Sequence, residues 1–119
     1  MKDLLALLKC KNPPTSVMFP KINNSEEVAL IDDLFEDFKV PTRIQIIIET
    51  NPGLEAAFEI AQQSNRTDAL FFGGVDMAAE LRCSLDWDAL SYARSRVVHA
   101  AAAAEIDVLD VPFLDLSDL

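Results

Sequence analysis

The sequence predicts an α/β fold built on a parallel sheet of about four strands, and three observations carry that expectation. Short apolar runs recur at residues 16–19, 44–48, 68–72 and 106–110. Segments with apolar residues at helical spacing precede and separate them, giving the order αβαβαβαβ. The connections are short, and such alternation implies strands running in parallel with helices returning between them.

Residues 3–9 carry leucines at helical spacing and end in Lys9-Cys10-Lys11-Asn12 before Pro13-Pro14, which reads as the tail of a helix. Residues 16–19 form the first strand, stopped by Pro20 and followed by Lys21. Asn24, with Glu27 three residues on, has the pattern of a helix N-cap. Val28, Ile31, Leu34, Phe35 and Phe38 then trace one apolar stripe that belongs in the core. Pro41 closes that unit. Residues 44–48, rich in branched side chains, read as a strand buried on both faces that ends at Glu49. Gly53 marks a tight turn into a helix over residues 54–61.

The pattern repeats with a strand at 68–72, a Gly73-Gly74 turn and a carboxylate, Asp76, followed by a short turn of helix at 77–81 and a loop at 82–85. Asp86 stands where an N-cap is expected for a long helix from Trp87 to about Glu105. Its run Ala100 to Ala104 combines high helix propensity with little bulk. Residues 106–110 form the last strand and 111–116 its exit loop.

Ten basic against twenty acidic residues give a net charge of −10. A field of that sign repels phosphate backbones and anionic membrane surfaces, so neither nucleic acid nor membrane is an expected partner. Cys10 and Cys83 form no Cys-x-x-Cys pair, and free thiols in a reducing cytoplasm are expected. No apolar run approaches a membrane span, and residues 4–8 are too short for a signal peptide.

Glu49 and Asp76 stand 27 residues apart, about one βα unit. Equivalent ends of neighbouring parallel strands lie side by side, so two acids just past those ends can converge on one point. Paired oxygen donors suit a hard cation, Mg2+ above all. An acid after a strand can also simply cap the next helix, more commonly Asp than Glu. Because the global charge opposes anions, an acidic substrate has to be drawn in locally, by a metal ion or by amides at a helix N-terminus. His99, the only histidine, falls mid-helix and remote from both acids, which discounts it as a base. Arg94 and Arg96 are expected to pair with surface acids.

Three strings carry a resemblance: Ile48-Glu49-Thr50-Asn51-Pro52-Gly53-Leu54, then Phe72-Gly73-Gly74-Val75-Asp76-Met77-Ala78-Ala79-Glu80-Leu81, then Tyr92-Ala93-Arg94-Ser95-Arg96-Val97-Val98. In this order they resemble the citrate lyase β-chain and HpcH/HpaI-type aldolase family. The resemblance implies a partial (β/α)8 TIM barrel, one domain over residues 1–119 that covers about the fourth to seventh strands. A closed barrel needs roughly 250 residues. It implies Mg2+ on Glu49 and Asp76. Pro20-Lys21 matches the end of the family's fourth strand, making Lys21 a catalytic candidate, although Asn23 stands where relatives carry an acid. The backbone amides from Gly73, Gly74 and Val75 to Asp76 are candidates for holding a substrate carboxylate.

The activity implied is carbon-carbon cleavage of a 3-hydroxyacyl thioester, on CoA or an acyl carrier, or of a related acid, to a 2-oxo acid and an acetyl-type product. A non-catalytic, self-associating remnant is the alternative. Half a barrel leaves two open sheet edges, so a homo-oligomer is expected. A doubly wound sheet of flavodoxin type ranks last, since no phosphate-binding glycine fingerprint is present.

Overall fold

The computed structural model describes residues 2–117. The elements in order are α1 (Lys2–Leu8), β1 (Ser16–Phe19), α2 (Ser25–Asp37), β2 (Arg43–Ile48), α3 (Asn51–Glu55), α4 (Ala57–Gln62), β3 (Thr67–Phe72), α5 (Gly74–Leu81), α6 (Trp87–Ala103) and β4 (Asp107–Leu109). The four strands form one parallel sheet in the order β1-β2-β3-β4.

Each strand lies beside its neighbour in sequence. Every crossover of the usual hand therefore brings its helices back over the same face of the sheet. A flavodoxin-type sheet would place β1 between β2 and β3, so the strand order excludes that last-ranked alternative.

Burial records the one-sided arrangement. Ile44, Ile46 and Ile48 of β2 are fully buried, whereas Arg43, Gln45 and Ile47 are half-buried. The register aligns Val17 and Phe19 with Ile44 and Ile46, and Leu70 and Phe72 with Ile46 and Ile48. These side chains face the helices. Met18, Gln45, Ile47, Phe71 and Leu109 share the opposite face, where Met18 and Leu109 are exposed. The expected burial of β2 on both faces is thus corrected.

Beneath the helices lies the core, in which Phe35, Ile60, Met77, Leu90 and Val97 are fully buried against the strands. The α2 stripe is confirmed, with Val28 and Phe35 buried and Ile31, Leu34 and Phe38 packed against them. Asn24 caps α2 by accepting the Glu27 N–H at 3.0 Å, while Glu27 Oε2 accepts the Asn23 N–H at 2.9 Å. In α6, Asp86 accepts the Ala89 N–H at 2.8 Å. Leu90, Ala93, Val97, Ala100 and Ala101 give α6 a narrow buried stripe whose small residues allow close approach to α4.

Three boundaries differ from expectation. The helix after β2 begins at Asn51 rather than Leu54, because Thr50 accepts the Gly53 N–H at 3.1 Å and Pro52 sits in the first turn, where a missing N–H costs nothing. It breaks at Ala56 into α3 and α4. Gly53 therefore lies inside α3 and makes no turn; its role is steric, since a β-carbon there would stand 2.3 Å from the Ile22 carbonyl oxygen. The helix after β3 starts at Gly74, which puts Asp76 within its first turn. The last strand is shorter than expected, Asp107–Leu109.

Candidate metal centre

The C-terminal ends of β1, β2 and β3 bring three sequence-predicted residues together. Glu49 is the first residue after β2 and is only 6% exposed. Its Oε1 accepts the backbone N–H of Lys21 at 3.0 Å, and Lys21 Nζ lies 3.5 Å from Asp76 Oδ1. Asp76, in the first turn of α5, lies close enough to the Glu49 carboxyl to raise its proton affinity.

Gly73 makes this proximity possible. A β-carbon at that position would lie 2.5 Å from Glu49 Cβ and 2.9 Å from Glu49 Oε2, so any side chain would displace the carboxylate. The Gly73 N–H donates to the Ile48 carbonyl at 3.0 Å, extending the strand pairing beyond Phe72. That donor is therefore spent, which corrects the expectation that Gly73 offers its amide to a substrate. The amides of Gly74, Val75 and Asp76 open α5, where a helix has no internal acceptors for them. A carboxylate could be received there.

Burial, first of all, pushes the Glu49 carboxyl above its ordinary 4.5; the contact with Asp76 and its charge push the same way, and the Lys21 N–H offsets part of the effect. A raised folded-state value means that the folded chain holds the proton more tightly than the unfolded chain does. This contribution to stability is complete below 4.5 and is lost as pH rises through the raised value. Denaturant titrations of the metal-free chain across that window should show the decline, and Glu49→Gln should remove it. A cation that needs both carboxylates ionised should bind more weakly as pH falls through the same window.

The donor chemistry fits a hard divalent ion. Two carboxylates repel each other at close range, one of them buried, and the Lys21 ammonium that offsets them is 63% exposed. No group of three or more His, Cys, Asp or Glu side chains poised for a metal occurs among the described residues. The protein would supply two oxygen ligands here and leave the remaining positions of an octahedral ion to water and substrate.

Other candidates lie elsewhere. Arg94 Nε donates to both carboxylate oxygens of Asp110 at 3.0 Å, and its guanidinium stacks 5.2 Å from the Phe72 ring centroid and 4.7 Å from that of Trp87. Arg96 donates to the carbonyls of Leu54 at 2.9 Å and Glu55 at 2.7 Å, satisfying the last carbonyls of α3. It also pairs with the exposed Glu55 carboxylate at 3.4 Å, so the expected surface ion pair forms alongside these backbone contacts. His99 is exposed, its ring 5.7 Å from that of Phe58 and outside the carboxylate cluster.

Sequence reasoning missed the polar clamp behind the site. The Thr50 hydroxyl donates to Asn23 Oδ1 at 2.7 Å, and Asn51 donates through its backbone N–H to Glu80 Oε2 and through Nδ2 to the Glu80 carbonyl, both at 3.1 Å. The Thr50-x-x-Gly53 spacing could have signalled the cap. Nothing local signalled the partnership of Asn23 and Thr50 across 27 residues.

The family model of the HpcH/HpaI aldolase/citrate lyase family matches residues 2–119. Among curated proteins, the mitochondrial citramalyl-CoA lyase of Mus musculus is 27% identical over 132 residues, which cover 98% of this chain and 39% of that protein. The citrate lyase subunit beta of Leuconostoc mesenteroides subsp. cremoris is 31% identical over 111 residues, 86% of this chain and 37% of its own length. RipC from Yersinia pestis superposes with a TM-score of 0.92 at 35% identity, over 98% of this chain and 54% of that one. The CitE protein of Mycobacterium tuberculosis in complex with magnesium and acetoacetate gives 0.77 at 28%, over 98% and 47%. The chain thus spans about two fifths of the length of its curated relatives. Its sheet is a run of consecutive βα units of the TIM-barrel-like fold of citrate lyase beta subunits. With a family model matched over nearly its whole length and a fold to agree, the chain belongs to the HpcH/HpaI aldolase/citrate lyase family.

Proposed function

We propose that residues 1–119 form one partial TIM-barrel domain carrying the metal-binding strand ends of a Mg2+-dependent carbon-carbon lyase. The convergence of Glu49 and Asp76 at the ends of β2 and β3 is the observation that supports this reading most strongly. The relatives named as lyases and the magnesium complex of a structural neighbour support it too.

The substrate class is a 3-hydroxyacyl thioester, on CoA or an acyl carrier, or a related acid. Cleavage breaks the bond between the hydroxyl-bearing carbon and the carbon next to the thioester; the former becomes the carbonyl carbon of a 2-oxo acid and the latter leaves as an acetyl-type product. Glu49 and Asp76 hold the cation, which when bound supplies Lewis-acid polarisation of the substrate oxygen on which charge develops. The amides of Gly74 and Val75 receive the carboxylate of the acid at the opening of α5. Lys21 places an ammonium beside the same point. Free thiols at Cys10 and Cys83 suit a reducing cytoplasm, and no helix among the described residues is long and apolar enough to cross a membrane.

The test follows release of a 2-oxo acid from citryl, malyl or citramalyl thioesters in the presence of Mg2+. Release that disappears on Glu49→Gln would support the lyase reading. A chain that binds the ion yet releases no product from any of the three would favour the second reading, a non-catalytic self-associating fragment.

One observation favours association under either reading. Both edge strands present unpaired backbone, and the face of the sheet turned away from the helices exposes Met18 on β1 and Leu109 on β4. The isolated 119-residue chain should show a homo-oligomeric mass by light scattering at micromolar concentration, and a monomeric mass would contradict this.

A further inference from the structure

We infer that Lys21 is the resident cation of the carboxylate pair, a positioning residue that competes with the divalent ion and is freed by it to meet an anionic acid. The inference rests on the metal reading proposed above and deepens it.

Lys21 has a left-handed backbone, with φ of 55°, a region in which residues with a β-carbon are uncommon. Its surroundings explain why the conformation persists. The Lys21 N–H is held by Glu49 Oε1, and Ile22 is buried with its carbonyl packed against Gly53. Asn23 is tied to Glu27 through its N–H and to the Thr50 hydroxyl through Oδ1. The backbone is therefore fixed on both sides of Lys21. Its side chain is not: 63% of it is exposed, and the ammonium meets Asp76, itself 55% exposed, at 3.5 Å.

A fixed root with a free head has a chemical consequence. An ion pair this open to solvent is weak, so the ammonium can leave Asp76 without disturbing the loop. While it stays, two carboxylates and one ammonium leave the cluster with a single net negative charge. A divalent ion on the carboxylates turns that into a single net positive charge and leaves the ammonium without its partner. In a chain of net charge −10, this reversal gives the strand ends a local attraction for a carboxylate that the overall field denies. Cation and acid should therefore bind with positive coupling, and part of that coupling should belong to Lys21.

Calorimetric titration of Mg2+ into the wild-type chain, Lys21→Met and Lys21→Arg, each with and without pyruvate, tests this after circular dichroism has verified folding. Lys21→Met should bind Mg2+ about two- to fivefold tighter in the absence of pyruvate, the range expected for loss of one exposed ion pair. Pyruvate should then improve its Mg2+ affinity less than it improves that of the wild type, and Lys21→Arg should behave as wild type. Lys21→Gln repeats the comparison should Met perturb the loop. Equal or weaker Mg2+ binding by the folded uncharged variants would overturn the inference and leave the metal reading standing. Failure of the folded wild-type chain to bind Mg2+ would overturn both.

Discussion

Glu49→Gln should act in two directions at once, stabilising the metal-free chain at neutral pH and abolishing its stabilisation by Mg2+. The first effect follows from burial: the wild-type carboxyl titrates above its ordinary value, so its ionised form works against folding near pH 7. An amide of the same shape keeps an acceptor for the Lys21 N–H and carries no charge to bury. The second effect follows from mass action. A ligand at 100 times its Kd stabilises the protein that binds it by about 2.7 kcal/mol. That increment should appear in thermal melts of the wild type and vanish in Glu49→Gln and in Asp76→Asn. Gain of stability together with loss of binding is the pattern of a site whose groups are kept for function at some cost to the fold. An undiminished Mg2+ shift in Glu49→Gln would mean that the ion binds elsewhere.

Phe35→Ala should be the most damaging single change to the fold. Phe35 is fully buried and joins α2 to β1, its ring centroid 6.2 Å from that of Phe19. Truncating a buried phenylalanine costs about 3–5 kcal/mol through lost transfer energy and an unfilled cavity. Domains commonly have only about 5–15 kcal/mol in total. Urea titrations should show a loss of that size at unchanged slope, with a fall in melting temperature on the order of 15 °C. A loss below about 1 kcal/mol would show that α2 is not held to the sheet as described. The strand-end acids lie on other elements, so Mg2+ affinity in the folded fraction should be unchanged.

Both acids of the site were legible because their positions follow from local rules. A strand run fixes where Glu49 must stand, and one βα unit carries the same end of the sheet to the neighbourhood of Asp76. The caps at Asn24 and Asp86 were legible for the same reason: short polar side chains satisfy amides three residues on.

What escaped was set by contacts across the chain. Gly53 reads locally as a turn, yet it is glycine because the Ile22 carbonyl leaves no room for a β-carbon. The run Ile44 to Ile48 cannot reveal whether one or both of its faces are covered, since that depends on the sense in which all the crossovers wind. The Gly73 amide looked available until the register placed the Ile48 carbonyl in front of it. Lys21 stands out in the sequence only through the family resemblance, and it is the fold that brings it to an acid 55 residues away.

Titrating Mg2+ calorimetrically into the folded 119-residue chain with oxaloacetate present bears most directly on the proposal that Glu49 and Asp76 hold a cation. Saturable one-to-one binding is expected, lost in Asp76→Asn at an unchanged circular dichroism spectrum. A folded wild-type chain that takes up no Mg2+, or an Asp76→Asn variant that binds it as well as wild type, would contradict the account.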